Sequence, residues 1–349
     1  MYRIFRKIRL TSMKEKRLGQ YLLYALGEII LVIAGILIAL QINNLNERKK
    51  NEARIEAILG DVQNDLLTDL ENLQNNIEIY ERKDSLIGAA LSDTLTETDY
   101  MSDPQLISLL ATYSLFDGKD NAYKNLMRNS DFIPVKYGDL VPRLDELYLE
   151  NYQSIKRIQE NLQDLVSEIL QKWSAEHTWY RDLNQGRYNP EFIEFFLNDP
   201  YYKNDLVTYR IYASGNLLRL LKRQELLSVQ AYRAINQSMK TPQELPPRIK
   251  NYLHVLSEEQ MERLIGSYRS QTGLEVRIFV KNGTLNGQLQ GQSPFTLYPR
   301  SDSSLFNPVI GLEMDFHLSP EGPLAFDLLQ NGQELSFIRQ HSAQPEGGD

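Results

Sequence analysis

The hydrophobic pattern along the 349-residue chain changes character three times. From Tyr21 to Ile42 apolar residues run almost unbroken, interrupted by Glu28 and Gln41. As a helix this segment is about 33 Å long, the hydrocarbon thickness of a bilayer, and it predicts a single transmembrane helix over 21–42. Past residue 43 the chain turns polar but keeps an apolar stripe, in which Ile55, Leu59, Val62, Leu66, Leu73, Ile77 and Tyr80 recur at mostly helical spacings. That is one buried face on a long helix, continuing the membrane segment outward as a stalk.

A loop around 92–104 follows, with Asp103 and Pro104 placed as N-cap and first residue of a short helix and another short helix starting near Asp120. Gly138 and Asp139 open a longer helix carrying Leu144, Tyr148, Asn151, Ile155, Ile158, Leu162, Leu165 and Ile169, a narrow seam of the kind found in coiled coils and bundles. Asn151 in that seam either fixes register or lies at a solvated end. Pro190 and Pro200 punctuate a connection, and a last long helix runs to about Met239 with Leu206, Tyr209, Ala213, Leu217, Leu220, Leu227 and Ala231 facing inward. Three long helices and several short ones predict an antiparallel helical bundle over 43–240, stalk included.

The stretch 241–256, "TPQELPPRIKNYLHVL", reads as a proline-rich linker that favours extended chain. Ser257 and Gln260 then form a capping box. Beyond it the period falls to two: Leu274, Val276, Ile278 and Val280 share one strand face, Asn282-Gly283 makes a hairpin turn, and Leu285, Gly287 and Leu289 continue the alternation. Leu312, Met314, Phe316 and Leu318 repeat it, and Asn331-Gly332 marks another hairpin. Six to eight short strands are expected over 257–340, closing as a small antiparallel β-barrel, with 341–349 a disordered tail. The fold class predicted is therefore α+β and membrane-anchored.

Charge sets the orientation. Residues 1–20 form a basic arm with a local charge of +6, leaving −14 on the remainder of a chain whose formal net charge is −8. The arm outweighs the basic residues Arg48, Lys49, Lys50 and Arg54, which are diluted by Glu47, Glu52 and Glu56. This bias predicts a cytoplasmic N-terminus, a bacterial inner-membrane location and a periplasmic bulk. The apolar stretch is too long for a cleaved signal peptide and no small-x-small cleavage site follows it, so an uncleaved signal anchor is expected. An acidic body argues against nucleic acid as a partner.

Candidate chemistry is sparse. The chain has no cysteine, and His177, His254, His317 and His341 lie far apart without metal-ligand spacing, so neither metal nor cofactor is expected. There is no Walker loop, no GxGxxG after a strand and no GxSxG elbow. Two candidate faces remain. Glu28, Val32, Gly35 and Ala39 share one stripe of the transmembrane helix, with Gly35 and Ala39 a small-xxx-small pair. Glu28 there is either buried against a partner helix or snorkels toward the basic flank. Val276, Ile278, Leu285, Phe316 and Phe326 are expected to face the barrel interior, as a packed core or as the wall of a cavity for an apolar ligand.

Two resemblances add to this reading. The stretch "RKIRLTSMKEKRLGQYLLYALGEIILVIAGILIALQINNLNE" resembles the N-terminal signature of a family of uncharacterised single-pass bacterial membrane proteins with the pattern YAxGEIxLVxxGILIALQINNxNE, and "NAYKNLMRNSDFIPVKYGDLVPRLDELY" does so more loosely. That likeness implies anchor, topology and bundle, and no activity. The portion 264–339, with "GSY", "NGTL", "FTLYPRSDSSLF", "MDFHLSPEG" and "NGQELSFIR", is similar to the lipocalin-like accessory domain of penicillin-binding-protein-like serine peptidases and esterases. The Ser-x-x-Lys nucleophile motif of such enzymes is absent from the chain, and Tyr123-Lys124-Asn125 and Tyr202-Lys203-Asn204 match only the companion Tyr-x-Asn pattern, on predicted helices. The function expected is a non-enzymatic, membrane-anchored scaffold working through a homo-oligomer or an envelope protein partner. A carrier or sensor of a lipid-like ligand and an accessory subunit of a separate envelope hydrolase are the alternatives.

Overall fold

The computed structural model describes residues 18–319, 322–330 and 333–340. Most of the basic arm, the Asn331-Gly332 turn and the tail from 341 lie outside the described residues. One helix, α1 (Leu18–Leu91), spans 74 residues and carries both the apolar segment and the first stripe of the bundle. At 1.5 Å per residue it is about 110 Å long. The short helices α2 (Glu97–Ser102), α3 (Pro104–Ile107) and α4 (Asn121–Arg128) follow. Then α5 (Leu140–Asp145), a π-helical segment (Glu146–Asn151) and α6 (Tyr152–Glu176) run on without a break.

Pro190 and Pro200 do not merely punctuate a connection. Each is the first residue of a helix, α8 (Pro190–Asn198) and α9 (Pro200–Arg210), which come after the short α7 (Tyr180–Asn184). Asn189 and Asp199 cap them by accepting from the backbone N–H groups of Glu191 and of Tyr201 and Tyr202. Proline costs nothing there, because the first-turn N–H it lacks has no helical partner. α9 passes through a second π-helical segment (Ile211–Leu217) into α10 (Leu218–Ser238).

Pairs across the bundle fix the helix directions. Gln63 reaches the carbonyl of Tyr232, Glu81 pairs with Lys222 and Asp84 with Arg210, so α1 and the α9–α10 helix are antiparallel. Asn151 Nδ2 donates to the Leu220 carbonyl and Lys172 faces Asp205, so α6 is antiparallel to α9–α10 as well. It follows that α1 and α6 run in the same direction and the α9–α10 helix against both, so the second long helix does not reverse the first as in an alternating bundle. The return is made by segment 92–139, whose short helices retrace the bundle; at its end Tyr137 donates to Glu56, near the base of the buried stripe.

The stripe on α1 is fully buried from Ile55 through Val62, Leu66, Leu70, Leu73 and Tyr80 to Ile87, in one core with Leu147, Ile155, Leu162, Leu206, Tyr209 and Leu221. Asn151 is 1% exposed and also donates to Gln224 Oε1 at 2.8 Å, so the polar seam position ties α5–α6 to α10 in the interior and does not mark a solvated end. Asp69 is a carboxylate buried in the same core, 1% exposed. Its two carboxylate oxygens accept from the Lys119 N–H at 3.0 and 3.1 Å, fastening the return segment to α1.

The C-terminal part is a nearly closed antiparallel barrel of nine strands: β1 (Gly266–Ser270), β2 (Glu275–Lys281), β3 (Thr284–Leu289), β4 (Phe295–Thr296), β5 (Tyr298–Pro299), β6 (Ser304–Asn307), β7 (Leu312–Ser319), β8 (Gly322–Gln330) and β9 (Gln333–Arg339). Each strand pairs with its chain neighbour except across the β4–β5 corner, and β9 closes back on β1. The corner residue Leu297 is buried in the barrel core, and Asn307 Nδ2 donates to the Thr296 carbonyl, bracing the open seam. The β2–β3 hairpin turns at Asn282 and Gly283, both with positive φ, as the Asn-Gly pair predicts.

Two outcomes are expected. Burial raises the Asp69 carboxyl from its usual 3.8 to about 7, with Asp65 adding to the rise and the Lys119 N–H opposing it. A raised folded pKa makes a stability contribution that is complete below the unfolded value and is lost as pH climbs through about 7. The thermal midpoint of the protein should therefore fall between pH 5 and pH 8 relative to Asp69→Asn, which keeps an acceptor for the Lys119 N–H without the charge. Parallel pH profiles of the two would refute this. At Gly287 an added Cβ would lie 2.7 Å from the Phe295 ring and 3.3 Å from Leu297. Gly287→Ala should destabilise the barrel by about 1–3 kcal/mol in denaturant unfolding, as overpacking does.

Candidate interdomain site

Glu28, Val32, Gly35 and Ala39 lie on an exposed stretch of α1, and nothing approaches a Cβ built on Gly35. The whole segment is exposed on every side, with Leu23 at 76% and Leu31 at 66%. It is the one helix among the described residues that is long and apolar enough to cross a membrane.

The five barrel residues are brought together. Val276, Ile278, Leu285, Phe316 and Phe326 are buried in one cluster with Tyr268, Met314 and Phe337. Ring contacts at 4.9–6.0 Å between centroids link Tyr268, Phe316, Phe326 and Phe337 across the interior. Leu274 and Val280, expected on the same face, are exposed at the strand ends.

A concavity of about 910 Å³ lies elsewhere, between bundle and barrel. The C-terminal turns of α1 line it with Glu81 and Asp84, the α9–α10 helix with Arg210, Lys222 and Glu225, and the barrel with Arg300, Phe306 and Glu313. Its charges are mostly paired. Arg210 donates from Nε and one Nη to both oxygens of Asp84 at 2.8 and 3.2 Å, Lys222 lies 2.6 Å from Glu81, and Arg300 bridges Glu313 at 3.2 Å while covering the Phe306 ring. Burial alone would push the Asp84 carboxyl up, but the hydrogen bond and charge of Arg210 outweigh it and leave it below its usual value. At Glu225 burial wins, and the carboxyl is raised despite the Tyr252 hydroxyl and Arg248 beside it. An aromatic wall with fixed, mutually satisfied charges suits recognition of a polar ligand or peptide segment.

Barrel and bundle are held together by a fixed segment. Within the expected linker, α11 (Pro247–Tyr252) is helical, with Pro247 as its first residue, and non-helical chain flanks it on both sides, Leu253 being extended. The buried end of α11 is gripped by Arg233 of α10, whose guanidinium donates to the carbonyls of Ile249, Lys250 and Leu253. This satisfies helix-terminal acceptors with a cation where the helix dipole favours one. On the barrel side, the His254 N–H donates to the Pro299 carbonyl, and Tyr252 packs edge-on against Phe306. The barrel helix α12 (Glu258–Leu264) follows, opened by the Ser257–Gln260 capping box. None of these cleft residues stands out in the sequence, because they come from four separated regions. The faint signal is the density of Arg and Lys on α10, a helix that also supplies core.

Two comparisons bear on the chain. The pattern of a family of unknown function (DUF6090) matches residues 28–133, less than a third of the chain, from within the apolar helix to the return segment. Penicillin-binding protein 4* of Bacillus subtilis (strain 168) is 29% identical over 77 residues, which is 22% of this chain and 17% of that protein. The chain thus spans about a sixth of the length of the curated relative it matches.

Replacing Arg233 by alanine should free the 247–254 segment. Limited proteolysis should then cut between 243 and 256 several times faster than in the unsubstituted protein, and unfolding should show a loss of about 2–3 kcal/mol, the scale of hydrogen bonds to a charged donor. Unchanged cleavage would mean that the barrel is held by other contacts.

Proposed function

We propose that the protein is a non-enzymatic, membrane-anchored scaffold of the bacterial envelope. Its apolar helix lies in the inner membrane with the N-terminus cytoplasmic, and the bundle and barrel project into the periplasm. The observation that carries this reading is the exposure of every side of the 22–42 segment on a helix that continues unbroken into the bundle core. A helix apolar all round is stable only when something apolar surrounds it, and nothing among the described residues does so. The filled barrel interior favours a docking domain over a lipid carrier.

The likeness to a penicillin-binding protein favours a second reading, in which the scaffold presents its lipocalin-like barrel to a separate envelope hydrolase. Both readings place assembly contacts on the Glu28, Val32, Gly35 and Ala39 stripe and on the outer faces of the bundle. Native mass spectrometry of the full chain, gently extracted from its own membrane, tests them. A defined homo-oligomer that is lost in Gly35→Leu supports the scaffold, and a stoichiometric hydrolase supports the second reading. A bare monomer with no companion would overturn both.

A further inference from the structure

We infer a second site beside the cleft: a pocket for an oxyanion group, phosphate or carboxylate, on the α6–α10 face where the barrel meets the bundle. The pocket has a volume of about 340 Å³, and its lining includes Arg157 from α6, Arg219 and Arg223 from α10, and Val309 from the barrel. No carboxylate is among its lining residues, although the chain as a whole carries −8. Arg223 is partly neutralised by Glu146 at 2.8 Å, whereas Arg157 is exposed and joins no ion pair among the described residues.

Three guanidinium groups around an apolar floor of Ile158, Leu220 and Val309 make a particular kind of site. Planar, permanently charged forks match the oxygens of phosphate and carboxylate, and low-dielectric walls strengthen their field. Two further features fit this reading. Arg219 and Arg223 are one turn apart and so project on the same side of α10. The pocket is also bordered by Gly215 and Asn216 of the π-helical segment, a backbone irregularity often found at binding sites.

Position narrows the source of the ligand. Lys222, between the two α10 arginines, pairs with Glu81, which lies about 58 Å along α1 from Ile42. Headgroups of the membrane holding the anchor extend only about 5–8 Å beyond the hydrocarbon, so they do not reach the pocket. The ligand is a soluble or cell-wall anion, and the site does not depend on what the anchor assembles with.

Isothermal titration of the full chain in zwitterionic phosphatidylcholine nanodiscs, with pyrophosphate and with citrate as probes, tests this. Saturable binding of at least one probe is expected, weakening with salt and reduced about tenfold or more in both Arg157→Gln and Arg219→Gln. Arg157 is exposed, so the thermal midpoint of Arg157→Gln should be unchanged, and Arg263→Gln on α12 should bind as the unsubstituted chain does. Preference for pyrophosphate or for citrate assigns the oxyanion. Absence of binding, or binding retained by both variants as for an adventitious ion only, overturns the site. Loss of probe binding when phosphatidylglycerol replaces phosphatidylcholine would show a lipid headgroup in the pocket and overturn the assignment to a soluble anion.

Discussion

The structure depends on one helix meeting two hydrophobic demands in succession. Over its first turns α1 is apolar on every side and buries nothing against its own chain; from Ile55 onward it narrows to a single stripe that is covered completely. The exposed polar residues between, Asn43 to Asn51, separate the two regimes without breaking the helix. Since the helix is continuous, whatever environment the first part occupies sets the height and direction of everything packed on the second. A narrow stripe needs at least two neighbours to be covered, and the α9–α10 helix and α4 of the return segment lie closest against it.

The return segment also accounts for the parallel pair. A strictly alternating bundle would bring the second long helix back down, but here the descent is made by short helices and turns, and the second long helix climbs in the same direction as the first, tied to it through Phe116 and Lys119 of the return segment. The descent is costly in backbone groups to be satisfied, and buried side chains answer for several of them: Asp69 for the Lys119 N–H, Gln159 for both polar groups of Phe116, and Lys83 for the carbonyls of Leu109 and Thr112. Those polar contacts set where the return segment lies, while the apolar stripe sets how tightly it is held.

Much of this was legible in the sequence where the cause is local. The change from unbroken to striped to alternating hydrophobicity gave the apolar helix, the bundle and the barrel in order. Asp103-Pro104, Ser257–Gln260 and Asn282-Gly283 mark caps and a turn whose physics is contained within a few residues. What was not legible depends on partners distant in the chain. Two π-helical segments look like ordinary heptads until their register against each other is known. The direction of α6 follows from how a loop of some fifty residues folds, not from any residue on α6. Pro247 reads as linker until Arg233, on another helix, is seen to cap the turn it starts. The barrel interior could be listed from periodicity alone, whereas the cleft could not, because no single segment holds more than part of it.

The interdomain seam shows why charge totals mislead here. The chain is acidic overall, yet Arg210, Arg219, Lys222, Arg223 and Arg248 line the face of the bundle that meets the barrel and its connecting helix. Surface ion pairs of this kind add little to stability individually. Their arrangement therefore calls for another reason than strength. Facing charges hold two domains at a set distance while leaving solvent-filled space between them, which a fully apolar contact would close. Glu81, Asp84, Glu146, Glu225 and Glu313 are spread along the seam so that Lys222, Arg210, Arg223, Arg248 and Arg300 each find a carboxylate, Glu146 reaching Arg223 on the α6–α10 flank itself.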